Sequence, residues 1–383
     1  MANETSVRRS AQTAKNSTTY RRKKKKRKSR TLLFSMGILA LLGGAVLIYQ
    51  MIFNKQASTA EMTATPISTA STYINTGDGL LYQTDGEIHF FHLTDSKQNY
   101  TYGFGASDIR MSGSESMTVV FNTASLEVVG KKASMTFNGT VKEVECGTGY
   151  LAVLLSTETG DSVLLLDTAG KQVGSPLTFT DQYIVDFGFY TVNSEMLWVE
   201  SINVNAGTPT TTISTYDIGK GAVTGVIHIQ GQLVDNLYIT DNSIFVAATN
   251  QIIRYTHDGN KEIYRFTIYG YKVVDFSDAG TSPTFLMTPR GGDFHSVKIL
   301  TLEEESAANA VDTNLQLPTE GVDAFIMGSQ LVVASREQLF TYSLKGKLST
   351  TATFEQAIDS AVKLTDTTLL LSSNGTYYLT RIG

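Results

Sequence analysis

The sequence predicts an all-β protein: a single eight-bladed β-propeller, with seven blades as the alternative, following one N-terminal transmembrane helix. Three observations predict it. Thr31 to Phe53, TLLFSMGILALLGGAVLIYQMIF, holds no charged residue over 23 positions. Beyond Thr72 helical periodicity gives way to short apolar runs rich in Val, Ile, Leu, Thr, Tyr and Phe, separated by Gly, Asp, Asn and Ser. One unit of these runs recurs eight times, roughly every 40 residues, which is the spacing of a propeller blade.

The N-terminal part is read from charge. Residues 1–30 hold 12 of the 31 Lys and Arg and one of the 36 acids, leaving 19 basic and 35 acidic residues beyond. Residues 1–20 are small and polar, so 1–30 is expected to be a disordered basic tail. Arg21 to Arg30 carries nine basic residues in ten and abuts the apolar stretch. Positive charge beside a span is held on the cytoplasmic side, which puts the tail in the cytoplasm and the acidic remainder outside the cell membrane. A helix over 31–53 rises about 34 Å at 1.5 Å per residue, enough for a hydrocarbon core of about 30 Å. Ser58-Thr59-Ala60 loosely resembles a signal-cleavage site, but the long tail and long apolar run favour an uncleaved signal-anchor. Ala40 and Gly44 form a small-xxx-small pair of the kind that lets two spans meet. The acidic remainder argues against nucleic acid as a partner, since phosphate recognition needs clustered Lys and Arg.

Residues 54–61 read as a juxtamembrane linker and 62–383 as the extracytoplasmic propeller. The clearest copies of the repeat are Leu80–Tyr82 with Ile88–Phe91 and Tyr100–Tyr102, Ile244–Ala247 with Ile252–Tyr255 and Ile263–Phe266, and Leu331–Ala334 with Leu339–Tyr342 and Thr350–Phe354. Weaker copies start at Met117, Tyr150, Met196, Thr284 and Thr368. A further strand precedes each hairpin, as at 234–240, 273–276 and 322–327. A four-stranded sheet cannot bury both apolar faces alone; stacking blades around an axis buries each face on a neighbour. Val163–Leu166 and Leu369–Leu371 read as continuous apolar runs, as strands covered on both faces should. After Tyr377–Thr380 no room is left for an outer strand in the last unit, whereas 62–68 holds a strand with no unit of its own. We therefore expect 62–68 to complete the last blade and close the ring, removing an open edge. A pair of β-sandwiches is the competing arrangement.

With turn signatures such as Thr84-Asp85-Gly86, His257-Asp258-Gly259-Asn260-Lys261 and Lys345-Gly346-Lys347, the repeats resemble those of the quinoprotein and WD40-like propeller superfamily. The layout of basic tail, span, Ser/Thr-rich linker and acidic propeller resembles an uncharacterised family of membrane-anchored β-propeller proteins from Gram-positive bacteria. The resemblance implies the scaffold and no cofactor. Quinoprotein enzymes carry a docking tryptophan in most blades, and this chain has Trp198 alone; WD40 repeats carry a Trp-Asp pair, and none occurs here.

Chemistry is sparse. The histidines are His89, His92, His228, His257 and His295; His89 and His92 leave a regular strand on opposite faces and cannot share a metal. No CxxC, HExxH, GxSxG, phosphate-loop or EF-hand spacing occurs. Cys146, the single cysteine, excludes an intrachain disulfide and reads as a small buried hydrophobe. Arg290, Asp293 and His295, in Pro289-Arg290-Gly291-Gly292-Asp293-Phe294-His295, could converge on a ligand at one rim, but the glycines favour an ordinary hairpin turn. Glu303-Glu304-Glu305 reads as a solvated loop. No catalytic, cofactor-binding or metal residue is assigned. The expected function is a membrane-anchored scaffold for a protein or cell-envelope partner. The alternative is a polysaccharide-active hydrolase or lyase with paired carboxylates in the propeller funnel. An apolar patch on the rim favours the first and carboxyls at the floor of a deep pocket favour the second.

Overall fold

In the computed structural model, the described residues are 58–382 apart from 105–107, 132, 191–194, 206, 281, 292–294, 303–309 and 318–320. The tail at 1–30, the span at 31–53, residues 54–57 of the linker, Asp293 and Glu303–Glu305 lie outside them. Among the described residues no helix is long and apolar enough to cross a membrane.

The described residues form eight sheets, antiparallel but for one added parallel strand, with one 3-10 turn at Ser96–Gln98. The innermost strands, one per blade, are Tyr73–Asn75, Arg110–Ser114, Thr140–Cys146, Tyr183–Phe189, Val234–Ile239, Tyr271–Ser277, Asp323–Met327 and Ser360–Thr365. We number the blades 1 to 8 in that order. Eight blades replace the seven-bladed and two-sandwich alternatives, and each expected repeat has a blade of its own.

The second strands explain why the ring is stable. Ser243–Ala248 in blade 5 and Thr368–Ser373 in blade 8 are buried at every position, as are Met117–Phe121 in blade 2. Each is covered by its own sheet neighbours and by blades on both sides. Between blades 5 and 6, Tyr238 stacks on Phe276 at 4.8 Å, Phe276 meets Phe285 at 5.0 Å, and Phe245 meets Phe285 edge-on at 5.4 Å. Burial of each such side chain contributes roughly 1.5–3 kcal/mol. Tight turns join the strands as the sequence implies. Asp85-Gly86 and Asn374-Gly375 place both central residues at positive φ, the geometry that matches strand twist in a two-residue hairpin. At Gly225, by contrast, it is space that demands glycine: a Cβ there would lie 2.1 Å from the Asp258 carbonyl oxygen of blade 5.

Two N-terminal strands join the ring, one of them closing it. Strand β2 (Thr63–Ser68) pairs antiparallel with Thr376–Arg381 and supplies the outer strand of blade 8. This is the closure the sequence predicts, one residue shorter than the expected 62–68. Strand β1 (Ser58–Ala60) runs parallel to Ala352–Phe354 and gives blade 7 a fifth strand. The sequence assignment of 54–61 as linker therefore needs correction at 58–60. Three small residues carry no alternation of their own, but Ala60 is buried against Phe354 and Leu339 in the blade 7 core, so tertiary packing decides their conformation.

Candidate functional site

The strands of a blade alternate in direction, so every chain connection emerges on one of two faces of the ring. Connections between blades, and turns between second and third strands, share a face. On that face, over blades 4 to 6, large apolar side chains stand in solvent. Tyr183 opens the inner strand of blade 4 and is 61% exposed. Val204 follows the second strand of blade 4, Leu233 connects blade 4 to 5, and Tyr269, 75% exposed, connects blade 5 to 6. Beside Tyr183 a groove of about 600 Å³ opens between blades 3 and 4, lined by Lys142, Asp161, Phe179, Gln182 and Asn205 among others.

Arg290 braces the same face. Its Nε donates to the carbonyls of Thr249 (3.2 Å) and Tyr271 (3.1 Å), and its guanidinium pairs with Asp235. These bonds join blade 5 to blade 6, so Arg290 is a strap between blades. His295 accepts at its carbonyl from the Leu317 amide and the Gln316 side chain. The structure does not bring Arg290 and His295 together on a ligand site, and the turn reading stands for the described part of 289–295.

The channel wall is built from the innermost strands. Four of them bulge at one position: between Val141 and Glu143, Ile184 and Asp186, Val234 and Asn236, and Val273 and Asp275. A bulge re-aims the side chain that follows it, here Glu143, Asp186, Asn236 and Asp275. On blades 6 to 8 the polar groups of the wall lock the blades together. Asp275 accepts from the Ile326 amide at 2.7 Å and lies 3.7 Å from Lys363, which itself donates to the Ile326 carbonyl at 2.6 Å. Asp323 accepts from the Ala361 amide at 3.2 Å. Asn75 donates to the Leu364 carbonyl at 2.9 Å, tying blade 1 to blade 8.

Blades 3 and 4 differ. Glu143 and Asp186 are exposed, Glu145 is half-buried, and Glu200, the cross-strand partner of Asp186, is 8% exposed. Burial, then repulsion from Glu143 and Asp186, pushes the Glu145 carboxyl up to about 7. Burial, then Asp186, pushes Glu200 to about 7 as well. Glu143 is raised by burial and by Asp186, with Arg110 opposing; Asp186 is raised by burial, with the Phe187 amide opposing. The sequence reading missed this set. Its signal was an apolar–x–polar–apolar pattern repeated on the inner strands: Val141-Lys142-Glu143-Val144, Ile184-Val185-Asp186-Phe187, Val234-Asp235-Asn236-Leu237 and Val273-Val274-Asp275-Phe276.

The remaining candidates have structural work. His89 stacks on Tyr82 at 5.1 Å, while His92 Nδ1 accepts from the Thr94 and Asp95 amides just before the 3-10 turn. His228 contacts Thr212, and His257 sits edge-on to Tyr190 at 5.0 Å. Burial raises the Cys146 thiol to about 12, with Ser112 opposing, so it carries almost no thiolate near neutrality. Among the described residues no group of three or more His, Cys, Asp or Glu is arranged to hold a metal ion.

Residues 53–378 match a family described as "Family of unknown function (DUF5711)". No curated protein matches the chain. Among solved structures, it is similar to BamB from Moraxella catarrhalis, with 11% identity and a TM-score of 0.52 over 84% of this chain and 100% of that one. It is similar to the C-terminal WD40 domain of Sif2, with 13% identity and a TM-score of 0.53 over 85% and 99%. It also resembles the WD40 domain of SCAP from fission yeast, with 9% identity and a TM-score of 0.57 over 84% and 94%. At these identities the likeness is one of fold, that of WD40- and BamB-type propellers.

Proposed function

On the premise that this chain belongs to the DUF5711 family, matched over most of its length, we propose that it is a single-pass membrane protein whose propeller binds a protein partner outside the cell. A β-propeller scaffold is consistent with protein binding, but function lives in sites and not in folds. The observation that carries the reading is the gathering of Tyr183, Val204, Leu233 and Tyr269 on one face. Exposed aromatic and aliphatic anchors beside a groove are what interface centres are made of. The anchor rests on sequence: the 23 uncharged residues of 31–53 follow a run of nine basic residues in ten.

Two experiments test this. Protease added to cells stripped of any wall should remove residues beyond about position 54 and spare the tail; protection of the propeller refutes the orientation. Proximity labelling from the full chain should enrich an envelope protein that Leu233→Asp and Tyr269→Asp lose and that Val311→Asp, at the outer edge of blade 6, retains. Equal enrichment by all three variants refutes the face. A second reading, a polysaccharide-active hydrolase or lyase, draws on the acids of blades 3 and 4, where burial and neighbouring carboxylates raise Glu145 and Glu200; it requires glycan turnover that Glu145→Gln or Glu200→Gln abolishes.

A further inference from the structure

The face opposite the apolar patch carries the turns between first and second strands and between third and outer strands. On that face a groove of about 510 Å³ opens between blades 1 and 2. One of its walls is Tyr100, which begins the outer strand of blade 1 (Tyr100–Gly103) and is 36% exposed. None of the other seven outer strands opens on an aromatic residue.

The Tyr100 ring is fixed before any ligand arrives. It stacks on Phe90, with centroids 5.2 Å apart and planes 23° from parallel. Its hydroxyl donates to Thr118 Oγ1 of blade 2 at 2.8 Å. Phe90 is itself pressed on the backbone of blade 1, where a Cβ at Gly79 would come 2.3 Å from its Cζ. The backbone leading into Tyr100 is held too, because Asn99 Oδ1 accepts from the His92 amide at 2.9 Å. An aromatic plate covered on one face, pinned at its hydroxyl and still partly in solvent has already given up the side-chain freedom that binding would otherwise cost.

Groups of both hydrogen-bonding kinds border the plate. A Cβ at Gly77 would lie 2.7 Å from Glu115 Oε1, so the carboxylate of blade 2 rests over the backbone next to Asp78 of blade 1. Glu115 is exposed and makes no hydrogen bond or ion pair with a described residue, and the Asp78 carboxylate accepts from the Thr76 hydroxyl at 2.7 Å. Gln98 and Lys131, both exposed, bring an amide and an ammonium from the flanking turns. The volume lies within the roughly 300–1,000 Å³ of small-ligand sites. A sugar ring fits this set. Its C–H face covers the aromatic plate, and its rim hydroxyls donate to the carboxylates and accept from the amide and ammonium. An anionic polymer would meet Glu115 and Asp78, and an apolar peptide side chain would desolvate them without giving them a donor.

We propose that the groove between blades 1 and 2 binds an uncharged glycan, with one pyranose ring stacked on Tyr100 and its hydroxyls held by Glu115, Asp78 and Gln98. The inference rests neither on the apolar face of blades 4 to 6 nor on the membrane anchor.

The test is calorimetric titration of the full chain, in a detergent without a sugar headgroup, with cellotetraose, maltotetraose and the N-acetylglucosamine tetramer chitotetraose. Expected is saturable binding of at least one probe, weakened at least about tenfold by Tyr100→Ala and by Glu115→Gln. Tyr100→Phe keeps the plate and should bind like the wild type. Val311→Ala, on the outer strand of blade 6, leaves the affinity unchanged. Where Tyr100→Ala lowers the melting temperature, Glu115→Gln at its exposed site carries the comparison. Preference for chitotetraose assigns an acetamido sugar, and preference for either glucose tetramer assigns a plain hexose. Failure of all three probes with folded wild-type protein overturns the inference, as does wild-type affinity in Tyr100→Ala or in Glu115→Gln. A protein crosslinked from a photoreactive residue at Gln98, with every sugar inert, overturns it in favour of a peptide.

Discussion

The hydroxyl of Thr65 donates to the carbonyl of Tyr377 at 2.8 Å, joining residues 312 positions apart. Around it, Thr63 and Ala64 pair with Leu379 and Tyr378, and Thr380 Oγ1 donates to the Glu61 carbonyl at 3.0 Å. Strand β2 therefore holds the last blade, and the ring is closed there by non-covalent contacts. If the chain is anchored at 31–53, the seam is also the point at which the propeller is tethered.

The seam should dominate stability. Ile67 is 1% exposed and packs with Leu80, Tyr82, Leu364 and Leu370, from blades 1 and 8. Ile67→Ala should cost about 2–5 kcal/mol in urea unfolding, as large-to-small core changes do. Removing residues through Ala60 takes away only β1, whose pairing adds a fifth strand to an already complete blade. It should cost less than Ile67→Ala. The reverse order would place the essential closure at β1.

Stability should fall as pH rises through the neutral range. Glu145 and Glu200 have folded values of about 7, above the unfolded value of 4.5. The folded state therefore binds more protons between pH 4.5 and 7, and the stability they confer is complete below 4.5 and lost as pH passes 7. Glu200→Gln should flatten this slope. At pH 8 it should stabilise by about 2 kcal/mol, since it removes a charge that burial and the neighbouring Asp186 both disfavour. Melting temperatures across pH 5–8 check both, and a variant with the wild-type slope contradicts the assignment.

Removing one partner of the Asp275–Lys363 pair should destabilise, where Glu200→Gln stabilises. Lys363 bridges the Ile326 carbonyl, Asp275 and Asp366, the last at 3.0 Å. Lys363→Met leaves Asp275 with amide donors alone and should destabilise by about 1–3 kcal/mol. Asp275→Asn should couple to it in a double-mutant cycle by at least about 0.5 kcal/mol. Strict additivity would mean that Asp275 and Lys363 do not stabilise one another.

Much of the ring is legible in the sequence because each blade repeats one simple demand, two apolar faces on four short strands. Val163–Leu166 and Leu369–Leu371 announce themselves by losing alternation, and β2 by being a strand without a unit. What resists reading depends on neighbours that the linear order hides. Ser58–Ala60 becomes a strand because Ala352–Phe354 offers a free edge. Arg290 reads as part of a polar turn until Asp235, 55 positions away, is beside it. Asp186 and Asp275 look alike in sequence; only the fold shows that Lys363 reaches Asp275 and that, among the described residues, no lysine pairs with Asp186. The exposed face is equally hidden, since Leu233 and Tyr269 are single apolar residues in separate connections.

The most direct test of a protein-binding face is site-specific photocrosslinking in living cells. A photoreactive phenylalanine analogue is placed in the full chain at Leu233, at Tyr269 and, as control, at Val311. The account predicts a discrete crosslinked product of one size at 233 and 269, accessible from outside the cell, and none at 311. Products at 311 but not at 233 or 269, or no product at any of the three, would contradict it.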